Sequence, residues 1–168
     1  MNKKIMYALS LLAMFSLALL AHAENATSSL GEQHRSRVSN FVQELEKVAD
    51  RDRKIGEEVK AVAQEEKEIS ERVKEKMENI EKRGALRTFL IGSDYKNLGA
   101  LRSDLVTSRN HIERLNKALE RTDSSSIKTV LETQIKDLTD IQTKAEDFAK
   151  SMEGKFSLFG WLSRMLSK

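Results

Sequence analysis

Apolar residues recur three and four positions apart along Val38, Phe41, Leu45, Val48, Asp52, Ile55, Val59, Val62, Glu66, Ile69, Val73, Lys76, Ile80 and Arg83. Ten of these fourteen positions are apolar, and the residues between them are mostly Glu, Lys, Arg, Asp and Ser. A spacing near 3.5 held over six heptads predicts one long coiled-coil or bundle helix over residues 34–83. Such a helix would run on the order of 75 Å, and no proline interrupts it. The row beside the seam is mostly small: Val42, Ala49, Gly56, Ala63, Ser70 and Met77. Small residues widen the packing face and let a partner helix approach closely, and β-branched residues at both seam positions disfavour a parallel dimer. The stretch is therefore expected to pack on helices of its own chain, with its uncovered length left for a homo-oligomer. Of the charged residues in the seam, Asp52 and Glu66 read as turns where it opens to water, and Lys76 and Arg83 as side chains reaching for solvent. The alternative is that the four pair across an interface and fix its register.

Gly84 and Gly92 bracket an apolar connector over residues 84–93, expected to fold over the end of the bundle as a cap; an exposed partner-binding tip is the other reading. A second helix is expected from Ser93–Asp94, where a capping side chain meets a helix N-terminus, with the seam Leu98, Leu101, Leu105, Ser108, Ile112, Leu115 and Leu119. Residues 122–126 (TDSSS) compete for backbone hydrogen bonds and make a turn. A third helix carries Ile127, Leu131, Gln134, Leu138, Ile141, Ala145, Phe148 and Met152, and Gly154 closes it. Two helices of similar length joined by a short turn form an antiparallel hairpin over 94–153. The fold class is all-α: a long coiled-coil helix plus this hairpin, a slender three-helix bundle, with a short C-terminal amphipathic helix.

The two ends differ from this body. Residues 1–23 have a basic start at Lys3–Lys4, an apolar run from Ile5 to Ala21 and the small-x-small site Ala21-His22-Ala23, the three parts of a secretory signal. The alternative is an uncleaved N-terminal anchor; either reading exports the rest of the chain, to a periplasmic or extracellular position. Residues 24–33 read as a flexible leader. In the tail, residues 155–168, the side chains of Leu158, Phe159, Trp161, Leu162, Met165 and Leu166 share one helical arc. Ser157, Gly160, Ser163, Arg164, Ser167 and Lys168 take the other side, and Lys155 and Phe156 precede the division. An apolar arc with Trp at its border and basic residues opposite fits a helix lying in a membrane interface. The same arc would also cover the end of the bundle or dock into a groove on a partner protein. The candidate membrane- or partner-binding residues are thus Lys155, Phe156, Leu158, Phe159, Trp161, Leu162, Arg164, Met165, Leu166 and Lys168.

Charge removes one class of partner. The chain carries 29 basic and 26 acidic residues, but without Lys3 and Lys4 the balance falls to +1, and all of that excess lies in the last fourteen residues. A nucleic-acid binder carries a basic stripe along its body, and none is present, so no nucleic-acid partner is expected. The absence of Cys excludes disulfides and thiolate chemistry. His34 and His111 sit in different segments without a ligand pattern and read as surface residues. The glutamates alternate with Lys and Arg at helical offsets, as Glu68 with Arg72 and Glu78 with Lys82, which is the pattern of a solvated helix surface. No cofactor, metal, catalytic residue or small-molecule substrate is indicated, and the expectation is a non-enzymatic protein.

Two stretches carry a resemblance. Residues 87–102 (RTFLIGSDYKNLGALR) and 155–162 (KFSLFGWL) look like segments of exported helical proteins from bacteria with reduced genomes, over about residues 80–168; the resemblance brings no activity and no site residues. An exported basic coiled-coil chain also resembles Skp-type periplasmic chaperones, whose β-strand body has no counterpart here. The resulting expectation is a cell-envelope scaffold or adaptor, tethered through the tail to a membrane surface or to another envelope protein. The alternatives are a periplasmic holdase-type chaperone and an activator of an envelope enzyme.

Overall fold

The computed structural model describes residues 28–154 and Met165. Five helices follow one another: α1 Leu30–Arg51, α2 Gly56–Lys82, α3 Ala85–Ile91, α4 Tyr95–Arg121 and α5 Ser125–Glu153. There is no strand among the described residues, so the chain is all-α. The long helices pack as a ring, α1 on α2, α2 on α4, α4 on α5 and α5 back on α1. Cross-contacts run in opposite residue order at each interface, for example Glu32 with Lys74, Glu65 with Arg114, and Arg102 with Glu153. Neighbours are therefore antiparallel throughout.

The single helix expected over 34–83 is two helices, and the three-helix bundle is a ring of four. Asp52 makes the break. It leaves the helix with φ −128 and ψ 98, and its Oδ1 accepts from the Lys54 backbone N–H at 2.9 Å, a local bond that replaces helical continuation. Its other oxygen takes the Thr122 hydroxyl across the bundle. The apolar spacing runs unbroken through this turn because Ile55, just beyond it, is buried with the seam residues on either side. Helix α1 also starts earlier than expected, inside the predicted leader, with Ser29 Oγ capping the Glu32 N–H at 3.1 Å.

The small row serves the α1/α2 contact itself. Gly31 lies against the Lys74 backbone and Gly56 against the Ala49 carbonyl; a Cβ on Gly56 would sit 2.5 Å from that oxygen. This gives a test of opposite sign for the two architectures. In a continuous helix Gly56→Ala would stabilise by about 0.5–1 kcal/mol. In the hairpin it is expected to destabilise by about 1–3 kcal/mol through overpacking, read as a lower urea midpoint.

The core is divided. A distal cluster contains Val38, Phe41, Leu45, Val48, Ile55, Val59 and Val62 with Leu115, Leu131 and Leu138. A second cluster, formed by Ile69, Val73, Met77 and Ile80 with Leu98, Leu101, Leu105 and Phe148, takes no residue from α1. Between them the seam of α4 shifts by one position. Past Ser108 the buried residues are His111, Leu115 and Ala118, and the predicted Ile112 and Leu119 are only partly covered. The seam of α5 is as predicted through Phe148.

Candidate functional site

The ring has two unlike ends. At the distal end the α1–α2 and α4–α5 turns are tied together by polar contacts: Thr122 to Asp52, Lys54 Nζ to Asp123 at 3.0 Å, and Arg121 Nη2 to the Lys54 carbonyl at 3.0 Å. The Thr122 hydroxyl is the main reason the Asp52 carboxyl is held below its ordinary value. The other end holds the start of α1, the end of α5 and the whole of α3. Ser93 Oγ donates to the Met152 carbonyl at 2.6 Å, with the Glu153 carbonyl 3.0 Å away. This fixes the last turn of α5 beside the α3–α4 junction. Asp94 caps α4 through the Asn97 N–H at 3.2 Å and pairs with Arg83 at 3.3 Å. Partial burial pushes the Asp94 carboxyl up, but the bonds from Asn97 and Arg83 outweigh it and hold it low.

Helix α3 is seven residues between two glycines with positive φ, Gly84 at 75° and Gly92 at 102°, a region open to glycine and costly for other residues. It does not close over the core as the cap reading expects. Leu86 is 73% exposed, Ile91 57% and, just beyond it, Tyr95 69%, with Phe89 half exposed. Exposed apolar side chains grouped in one short segment make it a candidate interaction site. Ile80, Leu98 and Phe148 are buried in the core cluster of this half of the bundle.

Midway along the bundle lies a buried polar layer, where the sequence pattern predicts surface residues. Glu66 is 1% exposed and His111 2%. His111 Nδ1 lies 2.8 Å from Glu66 Oε1 and Nε2 lies 2.8 Å from Glu65 Oε2. Both ring nitrogens thus meet a carboxyl group of α2. Arg114 Nη1 holds the same Glu65 oxygen at 2.6 Å. Desolvation opposes ionisation of Glu65, yet Arg114 and then His111 keep its carboxyl below the ordinary value. Beside the pair, Gln142 Nε2 donates to Ser108 Oγ at 2.5 Å. Glu66 therefore pairs across the interface, and Asp52 ends a helix and bonds Thr122 instead of opening a helical turn to water. Arg83 pairs with Asp94, and Lys76 Nζ reaches Glu75 at 3.1 Å. His34 is also buried, with Nδ1 lacking a partner. It lines a slot of about 70 Å³ with Leu30, Arg37, Met77, Ile141 and Lys144.

Compared with protein-family models, curated proteins and solved structures, the chain matches none. What it does must be read from its own surfaces. Among the described residues no three His, Asp or Glu side chains converge on a metal position, and no helix is long and apolar enough to cross a membrane. Of the tail residues singled out from sequence, Met165 is described and is 60% exposed. Lys155, Phe156, Leu158, Phe159, Trp161, Leu162, Arg164, Leu166 and Lys168 lie outside the described residues, as do the signal-like residues 1–23. Leu86 and Ile91 fall in the connector whose other reading is an exposed tip, and neither they nor Tyr95 are among the candidate residues drawn from sequence. Their apolar character is plain in the sequence, but their exposure is not.

Proposed function

We propose that the protein is a non-enzymatic adaptor of the cell envelope, exported by its N-terminal segment and held at a membrane surface by residues 155–168. The observation that carries this reading is the attachment of α5 by Ser93 to Met152 and Glu153. It makes the tail leave the bundle at the same end as the start of α1 and the apolar surface of α3. In the tethered state the apolar side chains from Leu158 to Leu166 enter the headgroup boundary, while Lys155, Arg164 and Lys168 meet anionic lipid. The opposite end, with its Asp, Lys, Arg and Ser side chains, is left to face water or another envelope protein.

Flotation of the chain from Glu24 onward on vesicles containing phosphatidylglycerol tests the tether. The full chain is expected to rise with the vesicles and a variant lacking residues 155–168 to stay below, with the helical circular-dichroism signal the same in both. Both remaining in the soluble fraction would overturn the reading.

A further inference from the structure

We infer that α3 is a second membrane contact, a short apolar foot that enters an anionic lipid surface beside the tail and sets the bundle upright on it. The inference rests on the tether reading and adds an element to it. Leu86 and Ile91 of α3 and Tyr95 at the start of α4 are exposed apolar side chains at this end of the bundle. A lipid surface is the occupant that the surroundings fit. The C-terminal turn of α5 is bonded to Ser93, so the amphipathic tail sequence begins within a few residues of α3. The apolar run of residues 5–21 lies upstream of α1, whose start is at this same end, where Ser29 Oγ faces Glu78 at 3.4 Å.

The charges agree. Arg87 and Lys96 are exposed, and among the described residues neither meets a carboxylate within ion-pair distance. Of the carboxylates at this end, Asp94 is engaged by Arg83, Glu78 by Lys82 at 3.1 Å and Glu153 by Arg102 at 2.5 Å, while Glu81 is near α3 without an ion pair among the described residues. The foot therefore offers apolar side chains with Arg87 and Lys96 in excess over that one carboxylate, a combination that anionic interfaces attract. A short amphipathic segment is a weak anchor on its own. A second weak contact on the same rigid body engages at high effective concentration and multiplies the affinity. It also removes the freedom of the bundle to swing about Gly154.

The chain has no cysteine, so single-site labelling is clean. Leu86→Cys, and Asp123→Cys at the far end as reference, are each introduced into the chain from Glu24 onward and coupled to an environment-sensitive fluorophore. Vesicles are phosphatidylcholine with phosphatidylglycerol, with and without a lipid-borne quencher. The label at position 86 is expected to shift to the blue and be quenched on binding, and the label at 123 to do neither. Separately, Leu86→Ser with Ile91→Ser should weaken partitioning by about tenfold or more, from the apolar surface no longer transferred, with unchanged melting. If the chain floats through its tail while the label at 86 stays in water, the foot is overturned and the tether stands. If the label at 86 is shielded before vesicles are added, the tail or a second copy covers α3 and the foot is overturned. If the full chain does not float, foot and tether fall together.

Discussion

Replacing His111 by alanine is expected to lower folding stability by about 1–3 kcal/mol, because it leaves the buried Glu66 carboxyl without its hydrogen-bond partner. The cost comes from the geometry of the site. Glu66 projects from α2 between two apolar clusters, at 1% exposure, and its Oε1 meets the His111 ring. Water cannot take the place of the ring without opening the contact between α2 and α4. The matching expectation concerns the pair as a whole. Glu66→Leu with His111→Leu removes both polar groups and keeps the volume, and it should fold within about 1 kcal/mol of the parent or above it. Urea midpoints of Glu66→Leu, His111→Leu and the double variant make the cycle. A His111→Ala variant as stable as the parent would mean that Glu66 is hydrated and that the polar layer is open to water.

A histidine of the opposite kind governs the second expectation. Burial, and after it the charge of Arg37, pushes the His34 imidazole from 6.5 down to about 4, and its Nδ1 has no partner to reward protonation. The unfolded chain binds a proton at His34 below about pH 6.5, while the folded chain holds the ring neutral until about pH 4. Between these limits the unfolded state carries the extra proton, so stability falls as the pH falls. The full loss is about 3 kcal/mol, at about 1.4 kcal/mol for each pH unit between the two limits. Above pH 6.5 His34 contributes no pH dependence. In His34→Leu this loss is expected to vanish, so the difference between variant and parent should widen from pH 6.5 to about pH 4 and then level. Chemical denaturation at half-unit steps of pH reads it directly. The acid limb at still lower pH, where carboxylates such as Asp52 and Asp94 take up protons and lose their native partners, should remain in both proteins.

Both histidines show where a sequence stops informing. The heptads from Val38 to Ile80 and the row from Ile127 to Phe148 specified helices, faces and most of the core, because apolar periodicity depends only on local geometry. The turn at Asp52 was hidden because the period continues through it. An Asp at a seam position looks the same whether it ends a helix or crosses an interface, and only the Thr122 hydroxyl and the Lys54 N–H distinguish the two. His111 lay one position off the predicted seam of α4. Polar residues carry no periodic signal of their own, and its burial follows from Glu66, 45 positions earlier. Helix α3 departs from the cap reading for a related reason: its residues are apolar enough to be core, but apolar character alone does not say which side chains are covered, and Leu86 and Ile91 stay exposed. In the tail, the predicted arc remains a property of the sequence, with Met165 its one described member.

The closed ring of contacts has a consequence for the order of the chain. Helices α1 and α5 are neighbours, and Leu30 lies beside Ile141 and Ala145, so the gap from Leu30 to Glu153 is one interhelical spacing across and about two to three turns along, on the order of 15–20 Å. A linker of about eight glycine and serine residues would bridge it. New ends opened between Thr122 and Ser124 would leave every long helix intact and every neighbour in place. In such a rearranged chain α5 is made first and α4 last, while the bundle stays the same. The architecture belongs to the cycle of helices, and the point at which the polypeptide enters that cycle is a free choice.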